Sequence, residues 1–132
     1  MAIHALSSLP EETEVLLGRI IGAGLTVHRT LGPGFLESVY CRALAIELDV
    51  LGIPYERERL TTVQYRGREV GFGKVDFVVA DEAVLEVKSV ARLDPVFQAK
   101  LISYLKATGL RAGLLMNFNT AMLRDGIKRV VL

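Results

Sequence analysis

The sequence of 132 residues predicts an α/β fold in which a β-meander carries helices packed against it. Apolar residues recur every three or four positions through most of the first fifty residues, which is typical of amphipathic helices. From Ile53 onward, short runs rich in Val, Thr and Tyr alternate with turn residues, which is typical of strands. One further helical pattern interrupts these runs. The predicted order is helix, helix, three strands, helix, strand and a candidate short last strand.

The first helix is predicted from Ser8, Pro10 and Glu11, because Ser8 and Glu11 have the spacing of a capping box. Its apolar residues recur at three- and four-residue steps until the glycine–proline–glycine segment 32–34 ends it. A second helical pattern runs over about residues 35–51.

The remaining elements are four strands, a candidate fifth strand and a third helix. The strands are predicted at residues 60–65, 70–79, 83–90, 110–118 and 127–132. Asp94 and Pro95 form an N-cap and first-turn pair that opens a helix to about Thr108, and Gly109 closes it.

Composition limits the class of protein. With 51% hydrophobic and 23% charged residues, the chain can build a core, and we expect one domain over residues 1–132. The longest stretch without Asp, Glu, Lys or Arg is the segment 112–123, well short of the roughly 20 residues that a membrane span needs. The segment 1–9 lacks the features of a secretory signal. The single cysteine, Cys41, excludes an intramolecular disulfide, so we expect a cytoplasmic protein with no membrane contact.

The charge distribution is uneven. The net charge is +1, but residues 1–54 carry 3 basic and 6 acidic side chains, whereas residues 55–132 carry 13 and 9. A solvated surface accounts for this asymmetry, and the basic half gives only weak support to a nucleic-acid partner.

The segment around Glu86 is the strongest local signal for chemistry. In a strand over residues 83–90, Leu85 and Val87 face the core while Glu86 and Lys88 share the other face. An outward-facing ion pair is the ordinary explanation of such a Glu-x-Lys tripeptide. Asp76 favours a site instead, because Asp is disfavoured within an otherwise apolar strand.

This site hypothesis makes a geometric prediction. Asp76 faces Glu86 only if paired positions sum to 162, which pairs Val79 with Ala83 and leaves a three-residue loop, 80–82. A two-residue loop would place Asp76 on the opposite face of the sheet. Two adjacent carboxylates without Cys or His suit Mg²⁺ or Mn²⁺, completed by a substrate phosphate. Lys88 would then hold or help deprotonate the attacking water, or stabilise developing charge, so the residues predict phosphodiester hydrolysis.

Two helical pairs are weaker candidates. Glu37 and Tyr40 are three residues apart, and a first-turn Glu favoured by the helix dipole is the ordinary explanation of Glu37. Lys100 and Tyr104 are four apart and could face the sheet, although Tyr104 packing in the core with Lys100 reaching solvent explains them equally.

The histidines are not expected to be catalytic. His4 lies in a terminus that we expect to fray, and His28 follows an apolar helix face without a carboxylate or cysteine partner in sequence.

Taken together, these residues resemble a known family. The motifs that carry the resemblance are Gly34-x-x-Glu37-x-x-Tyr40, Asp76 and Glu86-x-Lys88, in this order. They are similar to those of the GxxExxY family, which is placed within the PD-(D/E)xK nuclease-like superfamily. The resemblance covers about residues 9–132. It implies a restriction-endonuclease-like core, that is, a mixed β-sheet flanked by helices.

The resemblance also implies roles. Asp76 and Glu86 would hold Mg²⁺ or Mn²⁺, with Glu37 and the Val87 carbonyl as further ligands and Lys88 as the catalytic lysine. The chain departs from the family pattern at Lys100, where the family has Gln four residues before the tyrosine that is Tyr104 here, and at Val75, where the superfamily name has Pro.

Two functions follow as hypotheses. The first is a Mg²⁺- or Mn²⁺-dependent nuclease acting on DNA or RNA, in which Lys100 assists a phosphate. The second is a catalytically inactive module of the same fold that binds nucleic acid or protein, in which Lys100 replaces the metal as a counter-charge. A chain of this length leaves little room for a recognition domain, so specificity would require a homodimer or a partner protein, and the apolar composition favours a dimer.

Overall fold

The structure, a computed structural model, describes residues 8–132, so the expectation for His4 lies outside the described residues. Within this range the helices and strands follow in the predicted order, with one short 3₁₀ helix added. They are α1 (Glu11–Leu31), α2 (Glu37–Val50), β1 (Tyr55–Tyr65), β2 (Arg68–Val79), β3 (Ala83–Lys88), α3 (Pro95–Thr108), β4 (Ala112–Asn117), the 3₁₀ helix (Leu123–Gly126) and β5 (Ile127–Val131).

The five strands form one mixed sheet in the order β1-β2-β3-β4-β5. Neighbouring strands are antiparallel except β3 and β4, which are parallel. Because parallel neighbours need a crossover connection, α3 lies between these two strands in the chain. The predicted α/β class, a mixed sheet flanked by helices, is confirmed.

The sheet separates two apolar cores. On one face α1 and α2 pack against strand residues that include Phe77 and Leu85. On the other face α3 packs against Val78 and Val84. Almost every residue of β3 and β4 is buried, as expected for strands covered by helices on both faces. Nothing in residues 8–132 forms a helix long and apolar enough to cross a membrane.

The helix ends agree only in part with the predicted capping. The Asp94 side chain accepts a hydrogen bond from a first-turn N–H of α3, and Gly109 ends this helix with φ 77°, as predicted. The prediction of a capping box at the start of α1 is wrong. Pro10 holds the N-cap position, so Ser8 lies outside the helix and its hydroxyl accepts a hydrogen bond from Arg111 instead.

β1 begins at Tyr55, five residues before the predicted start. Tyr55, Arg57 and Arg59 are half-buried while the residues between them are exposed. Arginine can bury its aliphatic stem and keep its charge in solvent. A hydropathy pattern that counts arginine as polar therefore does not predict a strand here.

The β2–β3 connection has the predicted length and register. Val79 pairs with Ala83, and Phe77 pairs with Leu85. The three residues 80–82 form the loop, and Ala80 and Asp81 both adopt positive φ. Every pair sums to 162, so the geometric condition for Asp76 to lie opposite Glu86 is met.

Beyond this pairing β2 and β3 diverge. The last paired residues before the divergence are Phe77 and Leu85. From there β2 continues against β1 towards the 66–67 turn, while β3 continues against β4 up to Lys88. Asp76 and Glu86 therefore stand at the fork between the two halves of the sheet. We call the paired strand segments beyond the fork, residues 60–74, the β1–β2 arm.

Candidate active site

Asp76 and Glu86 are joined through each other's backbone. The N–H of Asp76 donates to Glu86 Oε2 at 2.7 Å. The N–H of Val87, the residue after Glu86, donates to Asp76 Oδ2 at 2.9 Å. No other hydrogen bond or ion pair within residues 8–132 reaches either carboxylate, so each keeps one oxygen for a ligand.

The pleat of β2 is interrupted at Asp76. Val75 packs in the α3-side core and Phe77 in the opposite core, although residues two apart in a regular strand share a face. Across the ladder, Glu58 lies between the β1 partners of these two residues and has φ 53°. This irregularity places Asp76 where the strand changes face, at the fork.

Burial makes the pair electrostatically strained. Glu86 is 5% exposed. Burial first, and then the charge of Asp76, raise the pKa of Glu86 from 4.5 to about 7, against the opposing effects of the Asp76 N–H and nearby lysines. Burial likewise raises the pKa of Asp76. The site therefore holds two carboxylates whose full ionisation needs a positive partner.

Lys88 is the cation common to both carboxylates. It is the last residue of β3, and its charge lowers the pKa of Asp76 and of Glu86. Its Nζ lies 4.6 Å from the centroid of the Phe97 ring on α3. It forms no salt bridge within residues 8–132. An ammonium held by an aromatic ring and left without a fixed carboxylate is suited to meeting a substrate or its attacking water.

The remaining predicted site residues flank this centre. Glu37 is exposed at the start of α2, and its charge raises the pKa of Asp76. Lys100 is exposed on α3, with Nζ 5.8 Å from the Tyr104 ring centroid, and its charge lowers the pKa of Glu86. Tyr104 is 8% exposed and packs in the α3-side core. Asp76, Glu86 and Lys88 thus form the centre, with Glu37 towards α2 and Lys100 towards α3.

Residues that the sequence analysis did not select hold the end of β3. Asn117 is buried, its Oδ1 accepts from the Val90 N–H at 3.0 Å, and its Nδ2 donates to the Val90 carbonyl at 3.0 Å. The Ser89 hydroxyl donates to the Phe35 carbonyl at 2.6 Å. These bonds fix the chain directly after Lys88. The sequence offers one signal for Asn117, which is that a polar residue stands near the end of the largely apolar strand predicted at 110–118.

Tyr40 fixes the loop between α1 and α2. Its hydroxyl donates to the Gly32 carbonyl at 2.6 Å and accepts from the Phe35 N–H at 3.1 Å. Its ring is fully buried and stacks on Phe118, with centroids 4.5 Å apart. Tyr40 therefore has a structural role in the Gly34-x-x-Glu37-x-x-Tyr40 motif, since it fixes the loop that leads to Glu37.

Cys41 and His28 are not part of the Asp76, Glu86 and Lys88 cluster. Burial raises the pKa of the Cys41 thiol to about 12, which keeps it protonated. His28 Nε2 lies 2.8 Å from the Thr120 carbonyl oxygen, a contact that joins α1 to the segment after β4.

The side-chain donors of the site are of the chemical type that hard divalent cations prefer. Asp76 and Glu86 offer oxygen donors without sulfur or imidazole, and Mg²⁺ and Mn²⁺ prefer such ligands. No three Asp, Glu, His or Cys side chains in residues 8–132 come together as a metal-binding group. The carboxylates available as ligands here are therefore two, a number that would suit Mg²⁺, because this ion keeps several waters and is commonly completed by substrate phosphate.

Comparison with known proteins gives one match. A family model described as the PD-(D/E)XK nuclease superfamily matches residues 14–130. No curated protein and no solved structure matches the chain.

Proposed function

The chain belongs to the PD-(D/E)XK nuclease superfamily, and we propose that it is a Mg²⁺- or Mn²⁺-dependent nuclease that hydrolyses phosphodiester bonds of DNA or RNA. The observation that carries the proposal is the reciprocal contact of Asp76 and Glu86 at the fork, with Lys88 beside both. Burial raises the pKa of both carboxylates even with Lys88 nearby, and a bound cation would stabilise their charged forms.

In this proposal Asp76 and Glu86 would hold the cation, and the Val87 carbonyl and Glu37 would be further ligands. The cation supplies a lower pKa for the attacking water and neutralises charge on the phosphate. Lys88 orients that water or donates to the developing phosphate charge. Lys100, on the α3 side, contacts a substrate phosphate, and the Tyr104 ring beneath it restricts its position.

The backbone hydrogen bonds of the carboxylates have a mechanistic consequence. Because one oxygen of each carboxylate accepts a backbone N–H, each side chain has a fixed orientation before any ligand arrives. Glu86, whose pKa is raised to about 7, would hold a cation only in its ionised form. We therefore expect cation binding and cleavage to strengthen as the pH rises through 7.

A binding module without catalysis is the second candidate function, and Lys100 favours it. The charges of Lys88 and Lys100 both lower the pKa of Glu86, so two lysines already supply part of the neutralisation that a cation would give. The two candidates differ in one measurable respect, since only the nuclease requires a divalent cation.

The first experiment is a calorimetric titration of Mn²⁺ at low salt. We compare wild type with Asp76→Asn and with the matched control Asp81→Asn, an exposed loop residue with φ 55° that asparagine also tolerates. Stoichiometric binding lost only in Asp76→Asn supports the site. Binding retained by a folded Asp76→Asn contradicts it, and no binding by wild type even with a nucleic acid present favours the binding module.

The second experiment measures cleavage of single- and double-stranded DNA and RNA with Mg²⁺ or Mn²⁺. Lys88→Ala and Glu86→Gln should each lose cleavage by at least about a hundredfold. The matched control Lys106→Ala changes a lysine of the last turn of α3. Cleavage by both site variants at the wild-type rate would exclude the proposed centre.

We also propose three finer assignments. Gly34, Glu37 and Tyr40 support membership of the GxxExxY family. The free, buried thiol of Cys41 supports a reducing compartment, which we take to be the cytoplasm. Specificity for a nucleic acid would come from a homodimer or a partner protein, which analytical ultracentrifugation with and without substrate can test.

A further inference from the structure

Arg57 on β1 has a guanidinium without a hydrogen-bond or ion-pair partner in the described part of the chain. Its Nε is buried and forms no hydrogen bond, and no ion pair within residues 8–132 includes it. The neighbouring acids are engaged elsewhere. Glu56 pairs with Arg59 at 3.6 Å and Glu58 with Lys74 at 4.0 Å. Arg57 is thus a partly buried cation that forms no hydrogen bond or ion pair with residues 8–132.

The side chain is nevertheless held in place. Its guanidinium carbon lies 5.3 Å from the centroid of the Phe77 ring, and Phe77 is its partner across the β1–β2 ladder. Stacking on an aromatic ring orients a guanidinium without using its N–H donors. Phe77 is also the residue after Asp76, so the fixed cation lies beside the fork.

The charge of Arg57 acts on ionisable groups at the site. The Arg57 guanidinium lowers the pKa of Asp76 and of the Cys41 thiol, which lies on α2. Because its ring partner Phe77 packs in the core against α1 and α2, Arg57 stands on the α2 side of the sheet, whereas Lys100 lies on α3 at the opposite face. The acidic pair has a separate cation on each face of the sheet.

We infer that Arg57 is a phosphate-binding residue, which holds a phosphate of the nucleic-acid strand on the α2 side of the Asp76–Glu86 pair. This inference rests on the proposed function. A guanidinium presents N–H donors in a fork that matches two phosphate oxygens, and the free N–H groups of Arg57 suit this contact. An arginine that only stabilised the fold would bond a carboxylate or carbonyl, and Arg57 does neither within residues 8–132.

The test is a binding measurement in the inactive Lys88→Ala background with Mn²⁺ present. Fluorescence anisotropy follows labelled single- and double-stranded DNA and RNA over a range of salt concentrations. Arg57→Gln and Arg57→Lys are compared with the control Arg42→Gln. Arg42 is exposed on α2 and has no hydrogen bond or ion pair with residues 8–132.

We expect Arg57→Gln to weaken binding about tenfold. The slope of log affinity against log salt should fall by about 0.7 to 0.9, the share of one phosphate contact. Arg57→Lys keeps the charge and should keep the slope. Its binding should be weaker, because lysine lacks the paired N–H donors of the guanidinium. Arg42→Gln should change neither quantity.

Two results would overturn the inference. If the parent binds and Arg57→Gln binds with the same affinity and slope, Arg57 has no phosphate contact while the proposed function stands. If the parent binds none of the four nucleic acids, the inference and the proposed function fail together. A residue that merely supported the fold would shift the urea midpoint and leave the salt slope unchanged.

Discussion

The Glu86 carboxylate accepts the backbone N–H of Asp76 at 2.7 Å while lying beside the Asp76 carboxylate itself. One contact stabilises the charge on Glu86 and the other opposes it. Burial adds to the opposition, and the result is a pKa of about 7 for a side chain that ordinarily titrates near 4.5. The charged form of Glu86 is thus disfavoured in the folded protein, and the proposed cation would relieve this.

This relationship predicts a pH dependence of stability. Between pH 4.5 and about 7 the folded protein keeps a proton on Glu86 that the unfolded chain has lost. The free energy of unfolding of the metal-free protein should therefore fall as the pH rises through this window, by at most about 3 kcal/mol. Urea unfolding from pH 5 to 8 measures the effect.

The matching variants separate Glu86 from other groups. Glu86→Gln keeps an oxygen that can accept the Asp76 N–H and should remove most of the fall. The control Glu69→Gln changes an exposed residue of β2 and should retain it. Mn²⁺ should raise stability at pH 8 more than at pH 5. Identical pH profiles for wild type and Glu86→Gln would contradict the proposed origin of the effect.

The sequence specified the centre better than its surroundings, for a physical reason. The three-residue loop sets the register that brings Asp76 level with Glu86. The interruption of the β2 pleat at Asp76 could not be predicted from this loop. The support of the site depends on contacts between distant segments. Asn117 meets Val90 across 27 residues, and no local pattern encodes that meeting.

Strands rich in charged residues are also hard to predict from sequence. The start of β1 was missed because arginine and glutamate alternate there, and half-buried arginines look like surface residues in a hydropathy pattern. In the sequence Arg57 lies in a segment where glutamate and arginine alternate, and nothing there distinguishes it from Arg59. Its unpaired guanidinium becomes visible when the partners of its neighbours are known.

The contact between the β1–β2 arm and α3 predicts different effects for two glycines of β2. A Cβ at Gly73 would lie 2.5 Å from Tyr104 Cε1, whereas a Cβ at Gly71 would meet nothing within 4 Å. Gly73→Ala should therefore lower the free energy of unfolding by about 1–3 kcal/mol. Gly71→Ala should leave it unchanged or raise it slightly.

Urea unfolding of both alanine variants tests this prediction. Since Lys100 lies over the Tyr104 ring, Gly73→Ala should also disturb the α3 side of the site. Equal stability of the two variants would show that the tyrosine ring moves aside freely.

Removing one hydroxyl should loosen the α1–α2 loop. Tyr40→Phe deletes the donor to the Gly32 carbonyl and the acceptor of the Phe35 N–H within a buried site. We expect a loss of about 1–3 kcal/mol of stability and faster amide exchange at Phe35. The control Tyr65→Phe alters a tyrosine that is 64% exposed and should change neither. Unchanged exchange at Phe35 in Tyr40→Phe would count against this role.

Asn117 should matter both to stability and to the position of Lys88. Asn117→Ala leaves the N–H and the carbonyl of Val90 without their partner and also removes the acceptor of the Asn119 N–H. Because unsatisfied buried polar groups are unfavourable, we expect a loss on the order of 3 kcal/mol, measured by urea unfolding. The chain after Lys88 should then be less ordered, and amide exchange at Val90 should accelerate.

The effect on chemistry distinguishes a positioning role from plain destabilisation. At a temperature where Asn117→Ala is still fully folded, its affinity for Mn²⁺ should be close to wild type, because Asp76 and Glu86 keep their own backbone contacts. Cleavage should nevertheless fall, since Lys88 loses the anchor that follows it. The control Asn119→Ala, whose side chain forms no hydrogen bond within residues 8–132, should behave as wild type. A folded Asn117→Ala that cleaves at the full rate would show that β4 alone is enough to position Lys88.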